Sequence, residues 1–594
     1  MDNQRNLLLA VGLSFLLILG WDAAMRYFYP QASTASETEQ VDPVAQPATA
    51  SAPGDSANIV SGGATAEAGT VDLAQALASP ERVRIDAPRI EGSINLVGAL
   101  VDDIELKDHR QTVDKDSGPV QLFAPQGTDR QYFAQFGWVG DGVALPDART
   151  QWGADGEVLT AETPVTLSWD NGEGQTFRIR FAIDDNYMLT ASQSVSNSAG
   201  GPIVVRPFGL INRDASSASP DQWIVHSGPM GAFGETVEYG PDYDDLAEEG
   251  TFAPEGGAAD WIGFSDIYWL SALVPEEGVA TTPGYRSLGA ETYRADVIYA
   301  PETVAAGGSS NRTTRLFAGA KESVVLDAYE AAGIENFSRA IDWGWFRWFE
   351  RPILTLLRYL FDLVGNFGVA IILLTVIIRG LLFPIAQKQF ASMAAMKAVQ
   401  PKMKAIQERY KDDKQKQQQE IMKLYKEEKV NPLAGCLPLL IQIPIFFALY
   451  KVLILAIEMR HEPFFLWIKD LSAPDPAKIL NLFGLLPFDP PGFLGIGILA
   501  VLLGITMWLT FKLNPSAMDP VQQQIFNIMP WVLMFVMAPF AAGLLLYWVT
   551  SNLLTLAQQS YLYSKHPQLR AAAEKQKADQ AAVKARDQAR EGKS

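Results

Sequence analysis

The 594-residue chain is 48% hydrophobic, with 14 Trp and 30 Phe, so it is too long for one core and rich in residues that suit membrane interfaces. Its net charge of -19 is unevenly spread: residues 31–335 hold 17 Lys and Arg against 46 Asp and Glu, and the remainder sums to +10. One cysteine, Cys436, excludes an intramolecular disulfide and cysteine-based zinc or CxxC redox sites, and no GxxxxGK[ST], HExxH or GxSxG motif anchors nucleotide hydrolysis or common hydrolase chemistry. No catalytic residue, cofactor or metal ion is expected.

In chain order, residues 1–30 begin with the apolar run Leu7 to Gly20 and end in Trp21, Tyr27, Phe28 and Tyr29. A cleaved signal peptide is the alternative, but the aromatic end favours a retained transmembrane anchor. Residues 31–80 are Ala, Ser, Thr, Pro, Gly and Glu with few large apolar side chains, a disordered tether. Residues 81–335 alternate in short runs between Gly, Pro, Asn and Asp turns; in Thr176 to Asp184 the residues Phe177, Ile179, Phe181 and Ile183 share a face. This pattern predicts an antiparallel β-sandwich. Its Trp138, Trp152, Trp169, Trp223, Trp261 and Trp269 are read as core more readily than as the lining of a ligand groove.

Residues 336–366 predict an amphipathic interfacial helix, with Pro352 suited to its first turn and a polar stripe of Arg351, Thr355, Arg358 and Asp362. An apolar stretch, 367–383, follows with Arg379 set among isoleucines and leucines, where a guanidinium is expensive to keep in hydrocarbon. Residues 384–432 hold 11 basic and 6 acidic residues and repeat Met393, Met396, Val399, Met403, Ile406 and Tyr410 at helical spacing. With KDDK as a turn, they predict a helical hairpin. Its methionines serve either helix packing, the favoured reading, or varied apolar clients. Further spans are expected at 433–457, 493–513, 525–540 and 543–563, before a basic tail at 564–594.

Six transmembrane helices place both termini on one side, and the basic hairpin and tail put that side in the cytoplasm. The acidic domain is then extracytoplasmic. A rise of about 1.5 Å per residue assigns depths: Arg379, Thr375, Gln442, Asn527, Trp548, Ser551, Asn552 and Thr555 fall from mid-membrane inward, with Gln559 below them. Each could merely bond a neighbouring helix, but their common depth favours a wet groove open to the cytoplasm. A pore would need polar lining at full depth and a proton-coupled transporter a buried carboxylate, whereas the one acid near the later spans is Glu458, at an outer end. A half-depth slot with one cation could receive a short polar segment while the client's apolar helix slides into lipid, driven by hydrophobic partitioning.

The runs VNPLAGCLPLLIQIPIFFALY (Val430 to Tyr450), IIRGLLFP around Arg379, FFLWIKDLSAPDP (Phe464 to Pro476) and GLLLYWVTSNLLTLAQQ (Gly543 to Gln559) closely resemble the YidC insertases of Gram-negative bacteria. The resemblance implies a polytopic inner-membrane protein with a five-helix insertase core over 367–563 and a periplasmic β-supersandwich. It implies insertion of nascent membrane proteins without nucleotide hydrolysis, with the ribosome, the Sec translocon and its accessory subunits, and the lipid bilayer as partners, and no DNA. By motif, Arg379 would be the groove cation, Thr375 its neighbour, and Tyr547 with Trp548 the aromatic pair that meets clients; Trp548 departs from the Tyr-Tyr of the best-known members. Two other classes stand beside this one: a channel or transporter with a periplasmic binding domain, and an anchored sugar-processing enzyme.

Overall fold

A computed structural model of the chain describes residues 71–565, apart from 80, 115, 220–224, 412, 429–436, 484–485, 487, 489, 491–494 and 514–519. The expected anchor (1–30), most of the tether, nearly all of the basic tail, Trp223 and Cys436 therefore lie outside the described residues.

The alternating segments form two large sheets. The first holds eleven strands; nine run side by side from Thr251–Phe252 through Thr281–Gly289, Thr292–Tyr299, Ile203–Asp214, Tyr132–Val139, Leu100–Arg110, Ile90–Asn95 and Arg82–Asp86 to Val158–Leu159, while Pro119–Phe123 pairs with Leu100–Arg110 and Glu302–Val304 with Ile203–Asp214 off that path. The second holds nine, from Thr236–Tyr239 through Gly228–Phe233, Trp261–Ser265, Trp269–Val274, Ser309–Ala320, Met188–Asn197, Gln175–Ile183 and Val165–Asp170 to Gly153–Ala154. Period two decides which side chains go inside: Phe177, Ile179 and Phe181 are buried while Arg178 and Arg180 between them are exposed. Edge-to-face contacts join the sheets, Phe136 to Phe181 at 5.9 Å and Trp138 to Phe177 at 5.1 Å between ring centres. Trp138, Trp152 and Trp261 are buried, which makes them core. Pairing is not wholly antiparallel as expected: Arg84 and Ile85 run parallel to Val158 and Leu159, because that short strand arrives at the sheet edge from a long excursion.

Helix α1 (Ser323–Ala331) and the 3-10 turn Phe337–Ala340 close one end of the sandwich, with Phe337 edge-on to Trp261 at 5.6 Å. Residues 336–341 thus pack with the sandwich, where an interfacial helix from 336 was expected. The helix proper, α2 (Arg347–Val364), starts later. Pro352 is then inside it and not in its first turn, because aromatic residues upstream extend the helix. Ile353, Leu354, Leu357 and Leu360 are buried toward the helices that follow, and the hydrophobic core continues unbroken from sandwich to helices. The polar stripe faces protein at two of its members. Arg351 pairs with Asp327 of α1, and Arg358 donates to Ser323 Oγ at 3.0 Å and lies 3.8 Å from Glu458.

Gly365 ends α2 at φ 67°, left-handed backbone that suits glycine, and Asn366 caps α3 (Phe367–Leu381) by accepting the Val369 N–H at 3.0 Å. A single residue, Leu382, separates α3 from α4 (Phe383–Arg409), which turns back into α5 (Lys414–Glu427). Val399, Met403 and Leu424 are buried between α4 and α5, and Tyr425 donates to Met403 Sδ at 3.2 Å. Met403 is thus packing; the side chains of Met393 and Met396 lie outside the described ones.

The last helices are α6 (Leu437–Leu455), α7 (Ile498–Leu513), α8 (Pro520–Met537) and α9 (Ala542–Lys565). The loop before α7 is organised by Asp475, whose carboxylate accepts Trp467 Nε1–H at 2.9 Å and the Leu499 N–H at 2.8 Å. Among the described residues no helix is long and apolar enough to cross a membrane. The α3 helix has 15 residues, about 22 Å, short of a hydrocarbon core of about 30 Å. The expected spans 433–457 and 493–513 each begin outside the described residues. Against the expected 525–540, α8 starts and stops earlier.

Candidate functional site

Four of the expected polar residues, Arg379, Gln442, Tyr547 and Ser551, come together where α3, α6 and α9 pack. Arg379, in the last turn of α3, donates from Nε to Ser551 Oγ of α9 at 3.1 Å, and its Nη2 reaches the same oxygen. Ser551 is buried, whereas Arg379 is half-buried. Among the described residues the guanidinium meets a hydroxyl and no carboxylate, so its charge is uncompensated. Gln558, two turns along α9, donates to the Arg379 carbonyl at 3.5 Å. Four positions before Ser551 on the same helix, Tyr547 is buried and accepts from Gln442 Nε2 of α6 at 2.8 Å. Spacing by four on α9 therefore stacks Tyr547, Ser551 and Thr555 on one face.

The remaining expected residues are distributed differently. Thr375 is buried, and its hydroxyl donates to its own helix, to the Ile371 carbonyl at 2.7 Å. Thr555 likewise donates to the Ser551 carbonyl at 2.8 Å. Asn552 turns to the other side of α9 and donates to Thr506 Oγ1 of α7 at 3.1 Å. Trp548 packs its ring on Phe446 of α6 at 4.8 Å. Asn527 is exposed on α8, which packs mainly on α7, and is not brought to the cluster. Gln559 is buried, with Oε1 unpaired among the described residues. Sequence reasoning missed Thr506 and Gln558. The pair Thr506 and Thr510, four apart in an otherwise apolar run, was the signal for the first.

Chemically the cluster offers one fixed cation, hydroxyl and amide groups, and an aromatic wall of Phe446, Tyr450 and Trp548. Nothing in it is arranged as nucleophile and base. It can hold a polar or anionic group by charge and hydrogen bonds, next to apolar surface.

Comparison with known proteins assigns these parts. Residues 359–570 match the family described as 60Kd inner membrane protein, and residues 82–356 match the YidC periplasmic domain. The membrane protein insertase YidC of Zymomonas mobilis is 44% identical over 569 residues, covering 95% of this chain and 96% of that one. The chain belongs to the YidC family of membrane protein insertases. A second relative, the YidC of Beijerinckia indica, is 43% identical over 591 residues, covering 95% of this chain and 96% of that one. A solved YidC insertase, described as active and with its first transmembrane domain resolved, covers 81% of this chain and 92% of that one at 21% identity and a TM-score of 0.35. YidC proteins are insertases and not enzymes; in this chain the β-sandwich is the periplasmic domain and the helical part belongs to the inner membrane.

Proposed function

We infer that the chain is a membrane protein insertase whose helical part takes nascent inner-membrane proteins from the cytoplasm into a hydrophilic groove around Arg379 and releases their apolar helices into lipid. In this reading six transmembrane helices, the first in residues 1–30, leave both termini and the hairpin of α4 and α5 in the cytoplasm. The ribosome delivers the client, the Sec translocon and its accessory subunits are partners, and no nucleotide is hydrolysed. The groove comprises Arg379, Thr375, Gln442, Tyr547, Trp548, Ser551 and Thr555; Asn552, turned to Thr506, and Asn527, exposed on α8, lie outside it.

The observation that carries this reading is a half-buried guanidinium held by a neutral hydroxyl at 3.1 Å. Such a cation lowers the desolvation penalty of a client carboxylate entering the groove. At a separation of about 6 Å and an effective dielectric of about 20, the attraction is about 3 kcal/mol, or roughly a hundredfold in rate. The test is insertion of a small single-spanning client with an acidic tail into proteoliposomes, read by protease protection. Arg379→Ala is expected to slow it about a hundredfold and Arg379→Lys to retain most of it. Insertion by folded Arg379→Ala at the wild-type rate overturns the groove role.

A further inference from the structure

The α2 helix has a side that neither the sandwich nor the other helices cover. Trp348, Pro352, Thr355 and Tyr359 recur at spacings of four, three and four, and Leu363 follows one turn on. Trp348 is 71% exposed, Tyr359 65% and Leu363 69%, a run of large apolar groups that a water-facing helix would bury. Arg347, Trp348, Arg351, Pro352, Thr355, Leu356 and Tyr359 line an open cleft of about 1010 Å³, and Leu363 lies one turn beyond it.

Two cations sit at its upper end, each held by one edge. Arg347 donates from Nη2 to Ser338 Oγ at 3.1 Å, and Arg351 donates from Nη2 to Asp327 Oδ2 at 2.6 Å. Among the described residues the other guanidinium N–H groups of both have no acceptor. Thr355, Leu356 and Tyr359 come next along the helix, two hydroxyls set among apolar surface, and Leu363 follows one turn on. A cationic end followed by mixed hydroxyl and apolar surface suits a phospholipid, headgroup at one end and chain along the other.

We propose that this cleft binds one anionic phospholipid of the outer leaflet, its phosphodiester between Arg347 and Arg351 and an acyl chain along Leu356, Tyr359 and Leu363. The proposal rests on the reading that α3, which follows α2 after Gly365 and Asn366, enters the membrane. A free phosphate would engage the guanidinium groups alone, and the apolar wall makes the lipid the better occupant.

The test uses the full chain in detergent, titrated with dioleoylphosphatidylglycerol, dioleoylphosphatidylcholine or glycerol 3-phosphate, with bound molecules counted by native mass spectrometry. The anionic lipid is expected to bind about tenfold more tightly than the zwitterionic one, and glycerol 3-phosphate not at all. Arg347→Gln should weaken the anionic lipid about tenfold and erase that preference, while Tyr359→Ser and Leu363→Ser weaken both lipids alike. Arg351 is left intact because it also ties α2 to Asp327. Wild-type lipid binding by Arg347→Gln and Tyr359→Ser overturns the proposal, as does glycerol 3-phosphate binding as tightly as the lipid. Binding is counted without a client, so a failure here leaves the groove reading standing, and a failed Arg379 experiment leaves this one standing.

Discussion

Glu350 makes the stability of α2 depend on pH. Its side chain is only 2% exposed, on the helix face turned toward the Lys451–Asp342 ion pair, and its Oε2 has no hydrogen-bond partner among the described residues. Burial pushes its carboxyl up to about 7; Lys451 opposes the shift and Asp342 adds to it. An acid whose folded pKa is raised holds its proton in the folded state after the open state has lost it. Stability therefore falls as pH rises from the unfolded value of 4.5 through about 7, then levels off. Between pH 5 and pH 8 the difference is about 2.5 kcal/mol, or roughly seventyfold in the opening equilibrium. Hydrogen exchange of the α2 amides in detergent, corrected for the intrinsic effect of pH, reads this opening directly. Protection should drop about seventyfold from pH 5 to pH 8 in the wild type and stay flat in Glu350→Gln. Equal wild-type protection at both pH values, or the same drop in Glu350→Gln, refutes the argument.

Two further perturbations probe the packing. Phe181, buried between the sheets with Phe136 on its edge, should cost about 3 to 5 kcal/mol when cut to Ala, seen as a lower midpoint in the denaturant unfolding of the sandwich. Arg460 donates to the carbonyls of Arg110 at 2.7 Å and Gln111 at 3.2 Å and lies 5.3 Å from the Trp269 ring centre; Arg460→Ala should remove about 2 kcal/mol of docking. Amide protection near residues 108–112 would fall more than tenfold, and unchanged protection would show that the contact carries no weight.

The sandwich was legible because period-two alternation names the inward side chains directly, as at Phe177, Ile179 and Phe181. The hairpin seam was legible at helical spacing: Val399 and Met403 of that pattern are buried, against Leu424 across the turn. For the cluster around Arg379 the sequence named several members but not the directions they face. A constant rise per residue gives the height of a side chain on its helix, while which neighbour it faces depends on packing between helices distant in sequence. For that reason Ser551 and Tyr547 join the cluster, Asn552 turns to Thr506, and Asn527 stays outside. The polar stripe of α2 misled in the same way: Arg351 and Arg358 found partners on α1 and beside α6, which spacing along one helix cannot show.

The single residue between α3 and α4 sets a gear ratio. Leu382 is the fulcrum, Arg379 lies three positions on one side of it, and the 27 residues of α4 extend about 40 Å on the other. A swing of about 5° at Leu382 would carry the hairpin tip through about 3.5 Å while displacing the Arg379 backbone by only tenths of an ångström. With α9 gripping this short arm at both the Arg379 side chain and its carbonyl, a swing of that size would leave the guanidinium seated on Ser551.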